Sequence, residues 1–310
     1  MKLPWDRFLG GLAIGAADGV PGVSGGTIAL LLGLYERLLE SAQAVIAAPF
    51  TFRDPSQRPA LYAGLRFLVP LGAGVVTAYL IVTKLLVGKT GEPGLLLRAE
   101  SAPYLYALFF GLVLGSAWVV WGRVPEPRAP TAAWLLLGTL VSYSIIGIER
   151  SQDTPATWTL LPGAAVAISA MLLPGVSGSM VLLILGQYVV VSQAVHDRNL
   201  PPLMVFGCGI LLGAAVAIPV LKRVLARWPR AALATLTGLM LGSLRATWPY
   251  KDGYDPKVSS LSNRFDLNAI GVGEGIGVIA LVGFGFFLAW AADRFQPAKD
   301  GDAEAAPAEA

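Results

Sequence analysis

Residues 21–35 read PGVSGGTIALLLGLY, and residues 174–188 read PGVSGSMVLLILGQY. The two align without a gap at an offset of 153 (174 − 21), sharing Pro, Gly, Val, Ser and Gly, then two leucines, then a closing Gly-x-Tyr. That is far more identity than two unrelated apolar segments share. A glycine-rich break that recurs half a chain apart inside hydrophobic sequence is the pattern of an intramembrane ligand site built from two repeats.

The composition around these stretches sets the class. Of 310 residues, 55% are hydrophobic and 14% charged, whereas soluble domains carry about 25% charged residues. There is too little charge to cover a water-facing surface, so the chain reads as an all-α, multi-spanning membrane protein. The net charge of +3 is small and says nothing of nucleic acid; its distribution between loops is what matters. A single cysteine, Cys208, excludes an internal disulfide and a cysteine metal cluster, and a single histidine, His196, argues against a histidine metal site or a Ser-His-Asp triad. No metal and no cofactor are expected. Lys2, Arg7 and the apolar Phe8–Ala17 superficially fit a signal peptide. Cleavage would fall directly before the motif, and the second copy has an equivalent lead-in, so the segment is read as retained, with Trp5 as an interfacial anchor.

Phe8–Ala17 would make a helix of roughly 15 Å, against the ~30 Å of a hydrocarbon core. The sequence Asp18-Gly19-Val20-Pro21-Gly22 breaks it, and a second helix is expected from Ser24 to about Leu39, with Ser24 or Thr27 as N-cap. Two half-length helices joined by a Pro-Gly turn suggest a re-entrant hairpin, residues 8–40. Three full spans follow at 67–87, 104–121 and 131–148. The pattern restarts with a second hairpin, 160–195, and spans at 203–221, 231–248 and 269–292. Residues 1–150 are thus one repeat and 151–295 another. The Ala/Pro/acidic tail, 296–310, lacks apolar periodicity and reads as disordered.

The likeness extends beyond the motif. FGLVLGS at 110–116 resembles TGLMLGS at 237–243 at an offset of 127 (238 − 111), so the loops of the second repeat are shorter by 26 residues (153 − 127). Both carry Gly-x-x-x-Gly, which lets helices approach closely; in a polytopic chain this more often serves internal packing than a dimer face. A hairpin plus three crossings is an odd number of crossings, so the second repeat should be inverted relative to the first. With the N-terminus inside, Lys2, Arg7, Arg37, Arg53, Arg58, Arg66, Arg123, Arg128, Lys222, Arg223, Arg227, Arg230, Arg294 and Lys299 are inside, fourteen cations. Nine are outside: Lys84, Lys89, Arg98, Arg150, Arg198, Arg245, Lys251, Lys257 and Arg264. The excess has the sign of the positive-inside rule and puts both termini in the cytoplasm.

Inversion brings the two breaks into the membrane from opposite faces. Each opens a helix whose first amides are unpaired and carry about half a positive charge. Gly22, Gly25, Gly26, Gly175 and Gly178 leave those amides open, and Ser24, Thr27, Ser177 and Ser179 add hydroxyl donors. Two such termini near the midplane suit an anion, a phosphate above all, without an expensive buried lysine. The plainer reading is that Pro-Gly turns each hairpin and the serines cap it; two equivalent copies weigh against that.

Other residues are candidates for coupling or gating. Asp18 has Met171 in its place in the second repeat; it could hold a coupling proton or cation, or simply cap a helix. Glu36 pairs with Arg37 or a helix end, or takes part in coupling. Tyr35 and Tyr188 end the half-helices as interfacial anchors or as gating contacts. Arg245, near the end of a span, guides an anionic head group or snorkels to the interface. His196 reads as a solvated residue, and Glu274 is a weak candidate for either role.

The motifs Ala17-Asp18-Gly19-Val20-Pro21-Gly22-Val23-Ser24-Gly25-Gly26-Thr27 with Gly33-x-Tyr35-Glu36, and Leu173-Pro174-Gly175-Val176-Ser177-Gly178-Ser179 with Gly186-x-Tyr188, resemble the polyprenyl-phosphate transporter family, formerly described only as a bacterial membrane domain of unknown function. The likeness runs over nearly the whole chain apart from the tail. It implies a flippase that recycles undecaprenyl phosphate from the outer to the inner leaflet of the bacterial cytoplasmic membrane for cell-wall synthesis, by an elevator or rocking movement of one repeat past the other. Such a substrate, one phosphate on a long apolar chain, suits a neutral, amide-rich site open to lipid. The main rival is a membrane undecaprenyl-pyrophosphate phosphatase, whose similar Pro-Gly-x-Ser-Arg-Ser-Gly motif stands beside two glutamates. Here the arginine position is Gly25 or Gly178 and no intramembrane glutamate pair exists, so an enzyme is not expected. A secondary transporter of a soluble anion is the other alternative. The sequence leaves the coupling ion (proton, sodium or none) and a homo-oligomer open.

Overall fold

The computed structural model describes residues 4–18, 24–51, 54–86, 88–89, 92–96, 98–127, 129–148, 155–254, 263 and 271–294. The first Pro-Gly turn, residues 19–23, and the acidic tail lie outside the described residues, as do Arg53, Arg128, Arg150, Lys257 and Arg264. Of His196, only its place at the end of a helix is described.

Among the described residues, six α-helices are followed by six more in the same order. The first set is α1 (Pro4–Asp18), α2 (Gly25–Leu31), α3 (Tyr35–Thr51), α4 (Arg58–Leu86), α5 (Ala102–Gly122) and α6 (Ala129–Ile146). The second is α7 (Leu160–Met171), α8 (Gly178–Ile184), α9 (Tyr188–His196), α10 (Leu200–Arg227), α11 (Pro229–Ser243) and α12 (Val272–Arg294). Extended pairing is slight: Gly88–Lys89 meets Glu92–Pro93 between α4 and α5.

Five of these helices, α4, α5, α6, α10 and α12, are long and apolar enough to cross a membrane, which makes this a multi-pass membrane protein. Their outward faces are apolar: Val69, Leu80, Leu140, Met204, Val216 and Ile279 are all exposed, as lipid contact requires and water would not favour. The expected span 231–248 differs. Helix α11 stops at Ser243 after 15 residues, about 22 Å. Residues 244–247 then bond three residues back, Arg245 N–H to Gly242 and Ala246 N–H to Ser243 at 3.3 and 2.9 Å. This tightening turns Arg245 onto the end of α6. In the other direction, α4 begins at Arg58 rather than 67, preceded by a turn in which the exposed Asp54 carboxylate accepts from Ser56 N–H at 2.9 Å and is held below the usual carboxylate range by its bonds to Ser56.

The helix expected from Ser24 to about Leu39 is two helices. Gly33 takes φ +68°, Leu34 N–H reaches back to Ala29 at 2.9 Å and Gly33 N–H to Leu30 at 3.2 Å. In the second half Gly186 has φ +69°, Gln187 N–H reaches Leu182 at 2.8 Å and Gly186 N–H reaches Leu183 at 3.1 Å. Both are six-to-one and five-to-two closures around a left-handed glycine, the Schellman form of helix end. The Gly-x-Tyr signature is therefore a joint, and Tyr35 and Tyr188 open the next helices rather than ending the half-helices.

Glycines set the packing partners. Gly11 lies against Leu71 and Gly15 against Val75, so α1 and α4 run alongside each other in the same direction. Gly209 against Leu161 and Gly213 against Ala165 give α7 and α10 the same relation. The remaining pairs exchange between halves. Gly111 meets Val282 and Gly115 meets Phe286, pairing α5 with α12, while Gly138 meets Thr235 and Gly242 meets Thr139, pairing α6 with α11. At each contact a methyl group would strike the partner's backbone, so Gly-x-x-x-Gly here is internal packing between the two halves.

Cations mark the ends. At one, Arg123 meets Asp293 at 2.5 Å, Arg230 donates to the Pro125 carbonyl at 2.8 Å, and Lys222 donates to Gln43 at 3.0 Å. At the other, Lys251 is buried over the Tyr106 ring and donates to Asn263 at 3.1 Å. Burial pushes its ammonium down to about 8.

Candidate functional site

Helix α1 ends where α2 begins beside it, and the contact between them is polar. The Gly25 amide, first in α2, donates to Asp18 Oδ1 at 2.7 Å. A carboxylate at that position meets both the orphan amide and the positive helix end. Asp18 is therefore the cap of α2. Ser24 occupies the cap position by backbone (φ −112°, ψ 126°), but its side chain makes no capping bond. Ser24 Oγ is 2% exposed as a residue and, among the described residues, has no hydrogen-bond partner. A methyl group on Gly25 would run into Asp18, and one on Gly26 would stand 3.0 Å from the Met171 carbonyl and 3.3 Å from Ser24 Oγ. The glycines let the first break close on Asp18 and on the second break.

The second break has the same extended backbone at its cap residue, Ser177 (φ −96°, ψ 125°), and different neighbours. Gly175 has φ +87°, and a Cβ there would lie 2.6 Å from the Met240 amide nitrogen, so only glycine fits between this turn and α11. Ser177 is at the cap position of α8, again without a capping bond; its hydroxyl lies 2.8 Å from that of Ser179. Gly178 lies over Ala167 and Met171, and a methyl group on it would stand 3.0 Å from the Ala167 carbonyl.

The two breaks meet. The Gly175 amide donates to Thr27 Oγ1 at 2.9 Å in a buried bond that spans 148 residues of sequence. The buried Tyr35 hydroxyl donates to the Leu172 carbonyl at the end of α7. Thus Asp18, Ser24, Gly25, Gly26, Thr27 and Tyr35 of the first half adjoin Gly175 and its neighbours in the second. Gly22 lies outside the described residues. Beside the second break is a cavity of about 10 Å³, walled by Gly175, Val176, Ser177, Met180, Val181 and Ser142. That is room for about one water, so a phosphate requires the walls to part.

Other candidates fall elsewhere. Glu36 is exposed in the first turn of α3, where a carboxylate suits the helix end, and its neighbour Arg37 lies over the Phe67 ring at 5.1 Å. Tyr188 stands against Tyr79 of α4, which in turn faces Asp18. Arg245 donates to the Tyr143 carbonyl at 3.0 Å and stacks on the Tyr143 ring at 4.4 Å, which places it as a fastening on α6. Glu274 is in the first turn of α12, facing Tyr250.

Three residues near the site escape the sequence reading. Arg123 donates to the Leu30 carbonyl at 3.0 Å, at the far end of α2. Gln187 is buried and donates to the Thr159 carbonyl at 2.8 Å. Ser142 faces the cavity from α6. A serine within an apolar span and a glutamine beside the Gly-x-Tyr joint were available signals; the long reach of Arg123 had none.

The comparisons with known proteins decide the family. Residues 14–265 match the family described as VCA0040-like, undecaprenyl phosphate translocase-like. The chain belongs to this family. It is 34% identical over 262 residues to a polyprenyl-phosphate transporter of Vibrio cholerae serotype O1, covering 84% of this chain and 82% of that one. It is 28% identical over 266 residues to a polyprenyl-phosphate transporter of Staphylococcus aureus, covering 80% and 87%. No solved structure matches significantly.

Proposed function

We propose that the protein carries a polyprenyl phosphate across the membrane, with the phosphate held between the two helix breaks. The observation that carries this reading is the buried bond from the Gly175 amide to Thr27, because it brings breaks 153 residues apart in sequence to one place (174 − 21). Ser24, Gly25, Gly26 and Thr27 supply donors from one side, and Gly175, Ser177, Gly178 and Ser179 from the other. The phosphate enters from lipid while the prenyl chain stays in the apolar layer.

Alternating access follows if the halves are inverted repeats with re-entrant hairpins. Supporting this, Lys222 in the last turns of α10 bonds Gln43 of α3, while Gly64 near the start of α4 lies against Ser41 of α3. Equivalent helices α4 and α10 then run in opposite directions. The cations at the Arg123 end support a cytoplasmic placement of that end. In this reading the substrate is undecaprenyl phosphate, returned from the outer to the inner leaflet of the bacterial cytoplasmic membrane for cell-envelope synthesis, without hydrolysis.

Purified protein in liposomes loaded with labelled polyprenyl phosphate in one leaflet tests the proposal. Accelerated leaflet exchange, lost in folded Ser24→Trp and Ser177→Trp variants, is expected. Exchange no faster than in protein-free liposomes would refute transport. Release of inorganic phosphate from the diphosphate lipid would point to an enzyme instead.

A further inference from the structure

The carboxylate on the first break has a consequence for anything that binds there. Gly25 N–H is the donor a phosphate would seek at the start of α2, and Asp18 Oδ1 already accepts from it at 2.7 Å. At the place 153 residues on, where Asp18 would recur, Met171 stands and offers no charge. Beside the capped amide lies Ser24 Oγ, buried, without a partner among the described residues, and 3.3 Å from where a Cβ on Gly26 would stand, that is, over the first turn of α2. A buried hydroxyl left unpaired costs stability unless something is to pair with it. The terminus therefore has one donor in use and, over the same turn, a second buried group without a partner among the described residues.

We propose that Asp18 is a built-in stand-in for the substrate phosphate: its carboxylate caps α2 when the site is empty, and substrate displaces it. This inference rests on the phosphate site proposed above and names how that site is regulated. Two anions on one amide repel each other strongly in a low-dielectric setting. Among the described residues the displaced carboxylate has no cation to turn to. The titratable groups facing it are the phenols of Tyr79 on α4 and, through Tyr79, Tyr188 on α9; among the described residues no lysine or arginine pairs with it. It therefore leaves the amide as the neutral acid. One proton is taken from water on the side to which the site is open, and it returns there when the carboxylate caps Gly25 again. Phosphate binding and proton uptake are thereby linked, and by reciprocity a lower pH favours phosphate binding.

The test is binding of farnesyl phosphate, a short polyprenyl phosphate, to the full-length protein in detergent across pH, comparing the wild type with Asp18→Asn. Asparagine still caps a helix but carries no charge. The phosphate's own titration is common to both proteins and cancels in the ratio of their affinities. The variant is expected to bind about tenfold more tightly at neutral pH, the size of one competing charge at a helix terminus, with the advantage shrinking as pH falls. Equal or weaker binding by the variant, with a ratio independent of pH, would overturn the inference and leave Asp18 a plain cap. Failure of both folded proteins to bind would instead remove the phosphate site itself. Should Asp18→Asn not fold, infrared difference spectra of the wild type decide. Farnesyl phosphate should raise a protonated-carboxyl band, and its absence would overturn the proposal.

Discussion

In the first half of the chain the residue closing α1 is Asp18, and its carboxylate takes the leading amide of α2; in the second half that place is Met171, and α8 begins with no carboxylate on it. Among the described residues the two backbones match at the caps, Ser24 and Ser177, and at the left-handed glycines, Gly33 and Gly186. What differs is what holds the start of each half-helix. The second break is wedged against α11, where Gly175 leaves no room for a Cβ beside Met240, and its amide is satisfied by Thr27. At the first break the leading amide of α2 is held instead by a side chain, that of Asp18. If the two breaks form the proposed site, it has a fixed wall and an exchangeable one, with the charge present on one side alone.

The sharpest way to break this comparison is to disturb the fixed wall. Gly175→Ala must force a Cβ into a turn at φ +87° and within 2.6 Å of the Met240 nitrogen. Left-handed strain plus overpacking should cost about 2–5 kcal/mol. Thermal unfolding followed by size-exclusion should show little folded protein. The milder Gly26→Ala, facing a carbonyl at 3.0 Å, should survive; equal loss in both would mean that the two walls are equally rigid.

Next comes the bond that joins the walls. Thr27→Val keeps the shape and removes the oxygen that accepts from the Gly175 amide, leaving a buried N–H unpaired. A loss of about 1–3 kcal/mol is expected, with Thr27→Ser recovering most of it. No recovery with serine would show that the methyl group, rather than the hydroxyl, matters at this contact.

The pair of joints should behave alike. Gly33→Ala and Gly186→Ala each place an L side chain at φ near +70°, +68° and +69°, and each should lower stability by about 1–2 kcal/mol. A large difference between them would mean that the halves tolerate motion at their joints unequally.

Much of this arrangement is legible in the sequence. The duplicated motif announces the two breaks, and of the six spans that hydropathy places, five match helices long enough to cross while 231–248 does not and α4 starts earlier than expected; apolar length and loop charge are properties of the sequence itself. The Gly-x-Tyr pairs carry a signal that hydropathy alone misreads: glycine after a short apolar run, Ile28–Leu32 or Met180–Leu185, is a helix end, not a spot inside a longer helix. Helix α11 ends early because Arg245 fastens on Tyr143 of α6, a contact between segments a hundred residues apart. The capping role of Asp18 is local enough to be foreseen, seven residues from Gly25, whereas Thr27 reaching Gly175 is not, since nothing in either segment names its partner.

The smallest expected effect concerns the far ends of the half-helices. Helix α2 ends under Arg123, which donates to the Leu30 carbonyl at 3.0 Å and holds Asp293 at 2.5 Å. Its counterpart by the 127-residue offset (123 + 127) is Tyr250, so α8 has no such cation in that position; Gln187, at the joint itself, ties α8 to Thr159 instead. Arg123 and Asp293 are about a third exposed, 32% and 36%, so water screens the pair, and a double-mutant cycle of Arg123→Gln with Asp293→Asn should give a coupling below about 1 kcal/mol. The larger consequence is local. Losing the guanidinium leaves the Leu30 carbonyl with the Gly33 amide alone and the negative end of α2 without its cation, so amide exchange at Gly33 and Leu34 should quicken in Arg123→Gln while Gly186 and Gln187 stay unchanged. Equal quickening at both joints would mean that the two half-helices are coupled as one body, and the distinction between a fixed and an exchangeable wall would fall with it.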